Sequence, residues 1–128
     1  MNEKFSKELE KAKSHLIVVE GKKDKRALEA LGFKRIFVIH ESGKSIGEKI
    51  EQIQEICNKK DKVCILTDFD KKGKKLYLLI KSELSKRKVK LDNRLRGILL
   101  KMKISHIEGL SGFMEKNDWK NKINQLAS

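Results

Sequence analysis

Residues 62–73 read KVCILTDFDKKG, and this stretch decides the architecture. Its first half, Lys62 to Thr67, is a continuously apolar, partly β-branched run with no in-out alternation, the pattern of a strand buried on both faces of its sheet. The chain then leaves through Asp68, Phe69 and Asp70, passes Gly73, and shows Leu76, Leu79, Ile80 and Leu84 at helical spacing. A buried strand feeding an amphipathic helix is the repeating unit of a parallel sheet.

The same unit occurs twice upstream. His15 to Glu20 (HLIVVE) reads as a strand ended by Gly21, followed by helical spacing from Asp24 to Leu31 and closed by Gly32. Arg35 to His40 (RIFVIH) reads as the next strand, and Ser45-x-x-Glu48 is a capping box opening a helix with Ile46, Ile50, Ile53 and Cys57 on one face. Three consecutive units of this kind, joined by right-handed crossovers, predict an α/β protein: a three-layer, Rossmann-like arrangement with a mainly parallel, about four-stranded sheet between helices.

The flanks complete this expectation. Phe5, Leu9 and Ala12 place an amphipathic helix over 2–13, and Leu91 to Lys103 reads as a further helix capped by Asp92. Ile104 to Ile107 supplies a short last strand, and a helical tail over 111–126 carries Phe113, Met114, Trp119, Ile123 and Leu126. The whole chain, 1–128, is expected to form a single domain with its core at 15–110.

Composition narrows the partners. Thirty-one basic residues against 18 acidic ones give a formal charge of +13, which favours a polyanion through phosphate neutralisation and counterion release. With aromatics at only 5% of residues, a stacking platform for unpaired bases is not expected, so recognition should lean on shape and backbone. No apolar run reaches the roughly 20 residues of a membrane span, the first residues lack the apolar stretch of a signal peptide, and Cys57 and Cys64 lack paired spacing. These features predict a cytoplasmic protein with nucleic acid, not a membrane, as its partner.

The chemistry concentrates in acids. In open parallel sheets ligands bind beyond the carboxyl ends of the strands, where Glu20 closes the first strand and Asp68 and Asp70 close the third. Residues i and i+2 of an extended chain point the same way, so Asp68 and Asp70 can converge with Phe69 turned inward. Crowded carboxylates need a compensating cation, and an all-oxygen set without His or Cys suits Mg²⁺ and argues against zinc. A D-x-D pair alone arises by chance about 0.4 times in a chain of this length. The force lies in its combination with E-G-x-x-D after the first strand.

Val18–Asp24 (VVEGKKD) and Leu66–Gly73 (LTDFDKKG) together resemble the two signatures of the Toprim domain, which is shared by primases, topoisomerases, OLD-type nucleases and the ribonuclease that matures bacterial 5S ribosomal RNA. The resemblance covers roughly residues 15 to 88, and small stand-alone Toprim proteins are the nearest likeness in length. It implies that Glu20 acts as general acid or base and helps ligate metal, while Asp68 and Asp70 bind Mg²⁺, or Mn²⁺ in its place, during phosphodiester chemistry. It further implies that Asp24 supports the Glu20 turn as a cap, and that Gly21 and Gly73 allow close backbone approach. At this length neither a topoisomerase's tyrosine-bearing domain nor a primase's template-handling regions are expected. A nuclease acting on RNA or DNA, in RNA processing or DNA repair, is the expected activity. A non-catalytic, metal-dependent nucleic-acid-binding module of a larger complex, with a protein partner supplying specificity, is the alternative.

Basic residues flank the acids: Lys22, Lys23, Lys25 and Arg26 after Glu20, and Lys71, Lys72, Lys74 and Lys75 after Asp70. Cations at helix N-termini oppose the helix dipole, so their position suggests a different purpose, the holding of phosphates over the acids. Gly43-Lys44-Ser45 mimics the end of a P-loop, but Val38 stands where the first glycine belongs, so Lys44 is expected at most to meet a phosphate of the substrate strand. His40 and Glu108 close other strands and are lesser candidates for the site.

Overall fold

The computed structural model describes residues 2–41, 43–102 and 107. Its elements run α1 (Asn2–Ala12), β1 (Leu16–Val19), α2 (Lys22–Ala30), β2 (Ile36–Val38), a 3₁₀ turn (Ile39–Glu41), α3 (Ile46–Ile56), β3 (Lys62–Ile65), α4 (Lys71–Lys86), β4 (Lys90–Leu91) and α5 (Arg94–Lys101). The four strands form one all-parallel sheet in the order β2-β1-β3-β4, with Ile17 opposite Ile36 on one side and Cys64 on the other. This is the three-layer α/β arrangement expected from the sequence.

Each face of the sheet has its own core. Ile17, Val19, Cys64 and Leu66 pack against Phe5, Leu9 and Ala12 of α1, Leu28 of α2, and Leu95 and Leu99 of α5. Leu16, Val18, Val63 and Ile65 pack against Ile50 and Ile53 of α3 and Ile80 and Leu84 of α4. Burial on both sides is why β1 carries no polar residue: all four of its side chains are buried. The crossover from β1 uses one face and that from β3 the other, so the β1/β3 pair is the point at which the winding reverses. Crevices open at such switch points.

Several boundaries differ from the sequence reading. The chain from Leu91 does not begin a helix; Lys90 and Leu91 instead pair in parallel with Lys62 and Val63, and the helix starts at Arg94. A two-residue strand has no measurable periodicity, so only its partner identifies it. Asp92 still accepts a hydrogen bond from the Arg94 amide, at 3.2 Å. The helix of the third unit starts at Lys71, which puts Gly73 inside its first turn and not ahead of it. Leu79 is 43% exposed and lies outside the stripe formed by Ile80 and Leu84. The expected strand at 104–107 and the tail at 111–126 lie outside the described residues, apart from the buried Ile107.

Candidate acidic site

Glu20 leaves the end of β1 half-buried, and its own backbone carbonyl accepts from the His40 amide at 2.9 Å, tying the ends of β1 and β2 together. One side-chain oxygen, Oε1, accepts from the Asp68 backbone N–H at 3.2 Å. That bond crosses the switch point between β1 and β3. Burial raises the Glu20 pKa, the Asp68 charge raises it further, and the charges of Asp70 and Asp24 add to this; only the Asp68 amide opposes them. Four acids therefore act on one another at this end of the sheet.

Asp68 is held from a second direction. Its Oδ1 accepts from the Ile107 amide at 3.0 Å, so Ile107 lies against the site. Phe69 is turned into the core at 8% exposure, as the i, i+2 argument requires. Asp70 is exposed and caps α4, its Oδ1 accepting from the Gly73 amide at 2.8 Å. Asp24 is buried, and its Oδ2 accepts from the Gly21 amide at 2.9 Å, which closes the first turn of α2 under Glu20.

The two glycines differ. A Cβ on Gly73 would stand 2.1 Å from the Asp68 carbonyl oxygen and 2.6 Å from its carbon, so the first turn of α4 can lie against the Asp68 backbone only without a side chain. Thr67, fully buried, donates from Oγ1 to the Gly73 carbonyl at 2.8 Å and locks the same contact. A Cβ on Gly21 would meet only the Asp24 Oδ2, at 3.9 Å, so the chain itself leaves that space open.

Lys22, Lys23, Lys25 and Arg26 lie in the first turns of α2, and Lys71, Lys72, Lys74 and Lys75 in those of α4. Both turns follow strands of the parallel sheet and stand at the edge that carries the acids. None of the eight forms a salt bridge among the described residues, so their charge is left to solvent or to an outside anion. Lys44 is exposed ahead of α3, where Ser45 spends its hydroxyl on the Glu48 amide at 3.2 Å in a capping box. His40 is exposed, and partial burial of its ring with the charges of Lys49 and Lys72 lowers its pKa. Glu108 and Trp119 lie outside the described residues.

The donor chemistry fits a hard divalent cation. Among the described residues no three acids, histidines or cysteines stand together as a complete ligand set. Mg²⁺ does not need one, since one or two carboxylates with waters and substrate phosphates suffice. The mutual charge that raises the Glu20 pKa is what such an ion would offset.

Arg96, which the sequence reading passed over, lies beneath this loop at 7% exposure and donates to the carbonyls of Ile65 and Thr67. A charged residue on the buried stripe of α5, between Leu95 and Leu99, was the only signal that could have marked it.

A Toprim domain model matches residues 15–96. No curated protein sequence matches the chain. A solved structure of a protein from Aquifex aeolicus is similar, with a TM-score of 0.68 and 33% identity, covering 83% of this chain and 94% of that one. With its sheet order, its acids at the switch point and a family match over most of its length, the chain belongs to the Toprim family.

Proposed function

We propose that the chain is a Mg²⁺-dependent nuclease that hydrolyses phosphodiester bonds of RNA or DNA. The observation that carries this reading is the bond from the Asp68 amide to Glu20 Oε1, accompanied by the upward shift of the Glu20 pKa. A carboxyl that is oriented at one oxygen and holds its proton more tightly than usual is equipped for proton transfer at the other.

In this reading Asp68 and Asp70 would hold Mg²⁺, or Mn²⁺ in its place, and Glu20 would either join them as a ligand or serve as the proton donor. The ion supplies charge neutralisation at the scissile phosphate. Where Glu20 is not a ligand, its carboxyl would pass a proton to the leaving oxygen as water adds to phosphorus and the P–O bond to that oxygen breaks, and the proton released by the water would restore the carboxyl. The basic residues of α2 and α4, with Lys44, hold flanking phosphates and set the register without reading bases. Two free cysteines and a basic surface fit a single cytoplasmic domain engaged in RNA processing or DNA repair.

A second reading is supported by the Asp70 side chain, which is engaged as a helix cap. It makes the chain a binding module that uses metal to bridge phosphates within a larger complex, where a protein partner supplies specificity and no bond is broken. Incubation of structured RNA and nicked duplexes with the protein and Mg²⁺ separates the two. The nuclease reading expects cleavage that is lost in Asp68→Ala and on chelation. Equal cleavage by wild type and Asp68→Ala overturns it, and tight Mg²⁺-dependent binding without cleavage favours the module.

A further inference from the structure

Beyond Leu66, whose amide still donates to the Val18 carbonyl at 2.8 Å, the third strand leaves its ladder, and the carbonyls of buried Thr67 and half-buried Asp68 have no strand partners among the described residues. Such groups must be satisfied from elsewhere. Arg96, two residues into α5, does this from below: one terminal nitrogen, Nη1, donates to the carbonyls of Thr67 at 2.6 Å and Ile65 at 3.3 Å, and the other, Nη2, reaches that of Asp68 at 3.4 Å. The guanidinium also stacks between two rings, 4.6 Å from the centre of Phe69 and 4.2 Å from that of Tyr77. One side chain thus ties α5, the end of β3, the centre of the D-x-D loop and α4 together.

A cation is an expensive way to satisfy three carbonyls. Arg96 is 7% exposed, and an amide side chain or a water would satisfy them at a lower desolvation cost. Burial does lower its pKa, from an ordinary value so high that the guanidinium stays charged, and the charges of Glu20 and Asp68 act in its favour. Its location beneath two crowded acids gives the charge a use that a neutral donor lacks. The fork is also specific: a single ammonium has neither the two terminal nitrogens that divide these carbonyls nor the flat faces that meet two rings.

We propose that Arg96 is the positioning residue of the acidic site: through the carbonyls of Thr67 and Asp68 and the ring of Phe69 it fixes the backbone from which the Asp68 carboxylate reaches metal and phosphate. This rests on the reading of Glu20, Asp68 and Asp70 as a metal site, but the clamp can be measured without it.

The test compares wild type with Arg96→Lys, which keeps the charge and loses the fork, and with Leu9→Ala, a truncation in α1 that loosens the core shared with α5 and Phe69 but leaves the fork intact. Mn²⁺ affinity by electron paramagnetic resonance and hydrogen exchange of the Asp68 and Phe69 amides are the readouts. Arg96→Lys is expected to weaken Mn²⁺ binding at least 10-fold and to speed exchange at both amides at least 10-fold, while Leu9→Ala leaves both within twofold. Arg96→Ala should regain Mn²⁺ affinity when millimolar guanidinium is added. Arg96→Lys within twofold of wild type in both readouts overturns the proposal, as does an equal loss in Leu9→Ala. If wild type binds no Mn²⁺, the metal reading has failed and the exchange of the two amides alone decides the clamp.

Discussion

Glu20 and Asp68, 48 residues apart, are joined by a 3.2 Å hydrogen bond from the Asp68 backbone N–H to Glu20 Oε1, across the β1/β3 pair where the crossovers change face. The bond orients the Glu20 carboxyl, while the Asp68 side-chain charge and burial oppose its ionisation. A carboxyl whose folded pKa is raised costs stability once ionised: the cost is absent below the ordinary value, grows as pH rises through the folded one, and is full above it. Glu20→Gln keeps an acceptor for the Asp68 amide and removes the charge. In the absence of divalent metal it should raise the midpoint of thermal unfolding at pH 7 by on the order of 3 °C, an effect worth about 1 kcal/mol at a half-exposed site. The gain should vanish below the ordinary carboxyl value of 4.5. Calorimetry at the two pH values checks this, and under the nuclease reading the same variant loses about 100-fold or more of its cleavage rate.

Two glycines in helices should respond with opposite sign. Alanine at Gly97, where a Cβ meets nothing within 4 Å, should stabilise the protein by up to about 1 kcal/mol through helix propensity. Alanine at Gly73 gains the same propensity but drives a Cβ into the Asp68 carbonyl, and should destabilise by roughly 3 kcal/mol, in the range of overpacking. Urea unfolding of the two variants measures both. Gly73→Ala should also displace the Asp68 amide resonance.

Asp92, which follows β4, should contribute to stability in acid. Hydrogen bonds from the Arg94 side chain hold its carboxyl well below the usual range, with the Arg94 amide and His15 contributing in the same direction. A depressed pKa contributes stability that is complete above the unfolded value near 3.8 and is lost as pH falls through the folded one. Asp92→Asn should therefore cost about 2 kcal/mol at pH 7, the scale of charged hydrogen bonds, and progressively less relative to wild type as pH falls below about 4. Denaturation at a series of pH values gives the curve.

The eight basic residues at the starts of α2 and α4 form no salt bridges among the described residues, so they are free to neutralise phosphates. Binding to structured RNA or duplex DNA should weaken steeply with salt. Replacing Lys22, Lys23, Lys71 and Lys72 together by alanine should reduce the slope of log K against log salt by about 1 for every phosphate that is no longer neutralised. Fluorescence anisotropy at several salt concentrations reads this, and a flat response in wild type would remove the basic face from the proposal.

The layered fold and the place of the acids were legible in the sequence. Three apolar strands, each followed by a stripe at helical spacing, allow little besides a covered parallel sheet, and Glu20, Asp68 and Asp70 fall at strand ends by position alone. Local pattern suffices there because strand and helix periods are properties of neighbouring residues. Features that depend on distant partners emerged only in the folded chain. Lys90 and Leu91 are a strand only because Lys62 and Val63 lie beside them. Gly73 is the residue that fits the first turn of α4 because any Cβ there would run into the Asp68 carbonyl. Arg96, an apparent misfit on an apolar helix face, proves to be the donor that the loop at the end of β3 lacks, since unpaired carbonyls and the charge of the acids above them arise only when the chain is folded.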